Sequence, residues 1–194
     1  MFAPVKIEKI AVWRETEASP SPDVSFVPPL ARRRLTDLEK AALAVANEVY
    51  PHGEEIPVVF ASRWGEIGTT VKLIKQFHSE KEMSPAAFST SVHNAAPGMM
   101  SLKESNHATY TAIAASEDSL KNGFVEALAM RKRLLFVYAE ERTPEFYRQE
   151  FGEPQKWCSL AVLMDTSESE NVSFGAIPSG FDRFLEWLGR GNEA

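Results

Sequence analysis

Cysteine is almost absent from this sequence, which contains only Cys158. A single cysteine excludes an internal disulfide, so we expect a protein of a reducing compartment, the cytoplasm. Cys158 lies in the apolar run WCSLAVLM, without a neighbouring cation or helix start that would activate its thiol, and we predict a buried, inert side chain. The four histidines are scattered and share no metal-ligand spacing with it, so we expect no metal site.

Long apolar runs and an excess of basic residues are also absent. No stretch approaches the ~18 apolar residues of a membrane span, and the N-terminus MFAPVKIEKIAVW lacks the features of a secretion signal. The 21 Lys and Arg residues are outnumbered by 27 Asp and Glu, and the basic clusters at 32–34 and 131–133 border helical patterns. We therefore expect a soluble protein that neither spans a membrane nor binds nucleic acid.

Nucleotide and hydrolase motifs are missing as well. The sequence contains no G-x-G-x-x-G, no G-x-x-x-x-G-K-[ST] and no G-x-S-x-G. Nothing therefore supports a site for a dinucleotide, a P-loop nucleotide or an α/β-hydrolase reaction, and we expect no cofactor.

Strand patterns alternate with helical patterns along the chain. Strands are predicted at KIEKIAVW, IPVVFAS, TYTAIAAS, RLLFVYAE and WCSLAVLMD. Helices are predicted at LTDLEKAALAVANEVY, at TTVKLIKQFHSE, in two pieces of SPAAFSTSVHNAAPGMMSLKES, from about Glu117, and at SGFDRFLEWLGR. Such alternation requires crossover connections, so we predict one α/β domain with a mixed, mostly parallel sheet, a loop at 14–30, and a terminal helix and tail at 178–194.

Details of three helices are also predicted. The first of these helices begins at Thr36 or Asp37, and the amphipathic helix TTVKLIKQFHSE places Val71, Ile74 and, less clearly, Phe77 inward. Pro97 is expected to break or kink any helix that precedes it.

Two polar features are candidates for function. His93 and Asn94 lie between small residues at a helix break, where the pair either faces a cleft or closes a helix end by hydrogen bonds. The turn before the long helix, AASEDSLKN, is the second candidate.

That turn holds either a nucleophile or only a well-made helix cap. Ser116 is a good N-cap residue, and Glu117 and Asp118 place negative charge where the helix dipole favours it. Ser119 is tolerated in a first helical turn, so the helix would be stable without any function.

Three segments together resemble a known family. FASRWGEIGTTVKLI, SPAAFSTSVHNAAPG and YTAIAASEDSL are similar to the N-terminal half of the thiolase-fold β-ketoacyl synthases, over about 58–163 and most closely at 83–120. The nearest resemblance is to short β-ketoacyl synthase-like proteins associated with fatty-acid-type and aryl-polyene-type biosynthesis. It implies a single N-terminal-like domain over 1–194, with a thiolase-like half fold and a buried helix layer.

The resemblance also implies where a nucleophile would lie. In that family the strand before the long helix ends in a sharp turn that bears a cysteine, because the helix N-terminus stabilises a thiolate and an oxyanion. The pattern falls on residues 116–119 of this chain, with Asp118 at the nucleophile position. A carboxylate is a weaker acyl acceptor than a thiolate, and Ser116-Glu117-Asp118 is more similar to the turn of the chain length factors, which are inactive partners of condensing enzymes.

The implied function is that of a non-condensing accessory subunit. The second half of the fold, which supplies two histidines in the full family, has no counterpart in the resemblance. Half of the fold would leave a stripe of the long helix in water, so we expect a homodimer or a complex with a full-length β-ketoacyl synthase, with an acyl carrier protein as a further partner. The alternative is a thioester hydrolase or decarboxylase that uses Asp118 or Ser119, with His93 as base or electrophile and with Ser116, Glu117 and Asn94 as binding positions.

Overall fold

One mixed sheet of five strands organises the chain. The computed structural model describes residues 5–145, 147, 157–169 and 173–191. The strands are β1 (Lys6–Arg14), β2 (Val58–Ala61), β3 (Tyr110–Ile113), β4 (Arg133–Glu140) and β5 (Cys158–Asp165), in the order β1-β5-β4-β2-β3. β2 pairs in parallel with β3 and β4, and β5 is antiparallel to both of its neighbours, so four strands point the same way. The predicted mixed, mostly parallel sheet is confirmed.

Seven helices accompany the sheet in the part of the chain that the structure describes. They are α1 (Pro29–Arg32), α2 (Asp37–Val49), α3 (Ile67–Glu80), α4 (Pro85–Ser89), α5 (Ala95–Glu104), α6 (Ser119–Ala129) and α7 (Phe181–Gly191). None of the described helices is long and apolar enough to cross a membrane. The short α1 falls at the end of the segment that we expect to be a loop.

Two apolar clusters lie on the two faces of the sheet, because successive strand residues point to opposite sides. Val58 and Phe60 belong to one cluster, whereas Val59 and Ala61 belong to the other. On the first face α2 packs against β1, β4 and β5. Its predicted start is confirmed, since the Thr36 hydroxyl accepts a hydrogen bond from the Glu39 N–H and caps the helix.

On the second face α6 packs against β2 and β4, and α7 contacts both α6 and the sheet. The Phe124 ring makes edge contacts with Phe136, with a ring-centre distance of 5.6 Å, and with Phe184 of α7 at 5.1 Å. Leu128 and Met130 also pack into this cluster. The expectation that a stripe of the long helix is exposed is therefore wrong, because the terminal helix covers it.

The inward face predicted for α3 is wrong at Ile74 and Phe77, whereas Val71 is half-buried. Leu73 is the fully buried residue of this helix, whereas Ile74 is 57% exposed and Phe77 is 50% exposed. The helix packs mainly against α4. Its amphipathic pattern therefore has no apolar layer to meet within the described part of the chain.

The predicted helix break at His93 and Asn94, before Pro97, is confirmed. The chain leaves helical geometry between Ser89 and Ala95, and Pro97 sits in the first turn of α5. A proline is accommodated there because the N–H groups of a first turn have no partner within the helix.

Candidate functional site

The expected sharp turn lies between β3 and α6. A single 3-10 turn, Ser116–Asp118, joins the strand to the helix. Ser116 has a φ of 53°, in the left-handed region that residues with a side chain rarely adopt, and its side chain is exposed. Strained backbone of this kind is concentrated at functional turns, and Ser116 is exposed here together with Glu117 and Asp118.

Ser119 holds the turn together. Its buried hydroxyl donates a hydrogen bond to the Ser116 carbonyl at 2.7 Å and accepts one from the Ala115 N–H at 2.9 Å. The prediction that Ser116 is the N-cap is wrong, because its left-handed backbone differs from the conformation typical of a cap. Asp118 is the N-cap residue of α6, and its carboxylate accepts a hydrogen bond from the Ser179 hydroxyl just before α7.

The structure separates His93 from Asn94, and neither side chain closes a helix end by a hydrogen bond. The His93 Nε2 lies 3.0 Å from the Ser62 carbonyl oxygen, and its ring covers Gly65. Asn94 is exposed, makes no capping bond to α5, and lines a groove of about 720 Å³ beside β3, together with Leu102. Within the described residues no hydrogen bond or ring contact joins His93 to the 116–119 turn.

Arg63 reaches the turn from the carboxyl end of β2. Its Nη2 lies 3.4 Å from the Glu117 Oε1, and its guanidinium stacks over the Trp64 ring at 4.8 Å. The Nε atom of Arg63 is buried and has no hydrogen-bond partner in the structure. Arg63 thus places a partly neutralised positive charge next to the exposed acidic turn.

Glu140, at the carboxyl end of β4, supports the loop that carries Arg63. Its carboxyl group is 1% exposed, and it accepts hydrogen bonds from the Arg63 N–H and, at 3.3 Å, from the Ser62 hydroxyl. Burial raises the pKa of Glu140 to about 7, although these hydrogen bonds act in the opposite direction. The pKa of the Glu140 carboxyl therefore lies near neutral pH.

Sequence reasoning missed both Arg63 and Glu140. Each follows or ends an apolar strand, and β2, β3 and β4 are parallel neighbours, so their carboxyl ends meet at one edge. Crevices outside such ends are common ligand sites in α/β sheets. Arg63 and Glu140 could have been predicted as site residues, because each is a charged residue at the carboxyl end of an apolar strand.

The chemistry available at this site is limited. The turn presents a serine and two acids beside one arginine, and its buried Ser119 hydroxyl is bonded to the backbone. A serine hydroxyl without a base in hydrogen-bond contact is a weak nucleophile. No group of three or more His, Cys, Asp or Glu residues in the described ranges could hold a metal ion.

Comparison with known families and structures places this geometry in context. Residues 8–178 match the family described as the N-terminal domain of β-ketoacyl synthases. No curated protein sequence matches the chain. A chain from the complex of the ketosynthase ApeO with its chain length factor ApeC, from Xenorhabdus doucetiae, superposes with a TM-score of 0.77 at 20% identity. The match covers 98% of this chain and 92% of that one.

Two further complexes share the fold at lower coverage. The ishigamide ketosynthase/chain length factor gives a TM-score of 0.62 at 16% identity, over 78% of this chain and 50% of that one. A type II polyketide synthase acyl carrier protein in complex with its ketosynthase, AntDE:AntF, gives 0.66 at 12% identity, over 85% and 64%. At these identities the structural likeness shows the thiolase-like fold alone.

Proposed function

The chain belongs to the β-ketoacyl synthase N-terminal domain family, and from this premise we propose that it is a non-condensing subunit that works beside a ketosynthase. The pathway we propose is fatty-acid or polyketide biosynthesis of the aryl-polyene type. One observation carries the proposal: the turn that would present a nucleophile contains no cysteine. The one cysteine of the sequence, Cys158, is buried in β5 at 4% exposure.

Neither polar residue of the turn replaces a thiolate well. Asp118 already accepts a hydrogen bond from Ser179, and a carboxylate is a poor acyl acceptor. Ser116 has the apex position but no base bonded to it in the described part of the chain. The shape of a nucleophile turn is thus kept without a group that would carry an acyl chain.

The structural neighbours support a ketosynthase as the partner. The chain matched in the X. doucetiae complex is covered almost end to end by this one, and that complex pairs a ketosynthase with its chain length factor. The other two neighbours are also ketosynthase complexes, one of which includes an acyl carrier protein. We therefore propose assembly with a ketosynthase, and a carrier protein as a further component.

The two edges of the sheet support a partner on the β3 side. β1 carries several charged residues and has an irregular register between Ile7 and Lys9, both of which protect an edge against pairing. β3 reads YTAI, without charge or proline, and no other described strand pairs with its outer side. An edge left open in this way suits pairing with a second chain.

Exposed apolar side chains cluster in the same segment of the chain. Between α3 and β3, large apolar residues that are at least a third exposed form what we call the 74–110 surface: Ile74, Phe77, Met83, Phe88, Val92, Leu102 and Tyr110. Surfaces of this kind are typical of protein interfaces. We propose that the ketosynthase covers the 74–110 surface together with the β3 edge.

Co-expression with a full-length ketosynthase tests the proposed function. We expect size-exclusion chromatography with light scattering to show a one-to-one complex, and the isolated chain to leave acyl and malonyl thioesters unchanged. A chain that ignores both ketosynthase and carrier protein would contradict the partner role.

The hydrolase or decarboxylase alternative predicts a different result. Thioester turnover by the isolated chain, abolished by Asp118→Ala or by His93→Ala, would replace the accessory role with an enzymatic one. The described contacts do not favour this outcome, because His93 is bonded to the Ser62 carbonyl and not to the turn.

A further inference from the structure

Three buried glutamates meet where the loop after β2 enters α3. Glu39, Glu66 and Glu141 are 1%, 2% and 9% exposed. The Thr36 hydroxyl donates a hydrogen bond to the Glu66 Oε1 at 2.8 Å, and the Thr36 N–H donates to the Glu39 Oε2 at 2.9 Å. The Gly68 N–H donates to the Glu141 Oε1 at 2.5 Å. The start of α3 is therefore held at two points. Thr36, the N-cap residue of α2, bonds Glu66, and Glu141, which follows β4, bonds Gly68.

The cluster contains more acid than its surroundings neutralise. No ion pair in the described ranges includes any of the three glutamates, and the Glu66 Oε2 is buried without a hydrogen-bond partner. A cavity of about 370 Å³ lies beside Glu141. The other charged residues that line it are Asp37 and Lys40 of α2, Lys72 of α3, and Arg34 from the segment before α2. Lys40 is already paired with Asp37. A buried carboxylate without a counter-charge is costly, and a proton is the simplest way to neutralise Glu66.

The electrostatic surroundings of Glu66 agree with this geometry. Burial, with smaller contributions from Glu39 and Glu141, raises the pKa of Glu66 to about 8, although the Thr36 and Thr69 hydroxyls favour its charged form. Burial also raises the pKa of Glu39 and that of Glu141. Glu66 therefore holds its proton at neutral pH while α3 is docked.

The helix that this cluster anchors has few other attachments. Leu73 is its fully buried residue, and it packs mainly against α4. We propose that a proton on Glu66 latches the start of α3 to α2, and that loss of this proton releases α3 from the body of the protein. Ile74 and Phe77 of the 74–110 surface would then move with the helix. Only this consequence for partner binding rests on the proposed function.

Hydrogen exchange of the isolated chain tests the latch. The docked state binds the proton more tightly than an open state with an ordinary glutamate, so docking loses stability as pH rises from about 5 to about 8 and then levels off. We expect α3 amides, after correction for the intrinsic exchange rate, to lose protection by up to about tenfold per pH unit over that range. Amides of β4 should lose less protection than those of α3 over this range, and Glu66→Gln should reduce the slope of the α3 profile.

Two further variants make the result decisive. Glu80→Gln, at an exposed position of the same helix, should keep the wild-type profile. Glu141→Gln removes a neighbouring carboxylate and should bring the levelling-off to lower pH, which tests the latch even if Glu66→Gln does not fold. An α3 profile without pH dependence, or one that Glu66→Gln and Glu141→Gln leave unchanged, would overturn the latch without touching the proposed function.

Discussion

Gly123 shows how closely the long helix approaches the sheet. A Cβ atom at this position would lie 2.5 Å from the Ala61 Cβ and 3.1 Å from the Phe136 Cε2. Contacts this short force the helix or the sheet to move, and overpacking of a core costs typically ~1–3 kcal/mol. We expect Gly123→Ala to lower the free energy of unfolding by about that amount, measured by chemical denaturation.

Gly189 provides the matched control, because it lies in α7 and a Cβ there would meet no atom within 4 Å. Alanine favours a helix over glycine, so Gly189→Ala should be neutral or stabilising by up to about 1 kcal/mol. Equal effects at the two positions would mean that α6 does not pack closely on β2 and β4.

At the scale of single residues, the sequence predicted the site in part. It identified the turn at 116–119 as a candidate, but the left-handed backbone of Ser116 and the hydrogen bond between Asp118 and Ser179 depend on distant packing. The assignment of the nucleophile position to Asp118 stays a prediction. Arg63 and Glu140 carry no local signature, since only the parallel arrangement of β2 and β4 brings them together.

At the scale of elements, the sequence predicted all five strands of the sheet and the main helices. Periodicity identified these elements because each buries a regular face. It failed for the inward face of α3, because an amphipathic pattern does not reveal whether the apolar layer that it needs belongs to the same chain. It failed also for α6, where α7 covers the stripe that was expected to be exposed.

The carboxyl end of β4 gives a prediction about pH. The pKa of Glu140 is about 7 in the folded protein, above the ordinary 4.5, so the folded state binds this proton more tightly than the unfolded state. The stability that results is present below about pH 4.5 and is lost as the pH rises through 7. We expect the free energy of unfolding to fall between pH 5 and pH 8, and Glu140→Gln to reduce that slope.

Part of the slope should remain in Glu140→Gln, because burial raises the pKa of Glu66 as well. The exposed Glu17 offers a control, and Glu17→Gln should keep the wild-type slope. If Glu140→Gln and the wild type lose stability in parallel over this range, Glu140 does not hold a proton in the folded state.

At the scale of the whole molecule, the α6 face of the sheet and its β3 edge differ in how they are covered. The face that carries α6 is closed by α7, which is tethered through Ser179 to Asp118 and through Asp182 to Arg14. The β3 edge and the 74–110 surface have no comparable cover among the described residues. The half fold therefore completes one of its faces by itself, and we propose that a second chain completes the edge.

That asymmetry leads to a prediction about assembly. The Thr109 carbonyl accepts a hydrogen bond from Val58 of β2, and the Ile113 carbonyl accepts one from Ser62, just after β2. By alternation the backbone groups of Tyr110 and Ala112 therefore point outward. Proline is tolerated where a strand N–H faces outward, and Ala112→Pro should therefore fold but fail to pair with a partner strand. Phe77→Glu places a charge on the 74–110 surface, where Phe77 is 50% exposed.

Both variants should weaken the complex with a ketosynthase by tenfold or more, because a desolvated charge or a blocked strand edge costs about 1.4 kcal/mol or more at an interface. Leu30→Glu is the matched control: Leu30 is 76% exposed but lies in α1, outside the 74–110 surface. The measurement is a titration of the ketosynthase with each variant, after thermal unfolding has shown that each is folded. If Leu30→Glu weakens the complex while Phe77→Glu and Ala112→Pro bind like the wild type, the partner covers the α1 side and the β3 edge is not the interface.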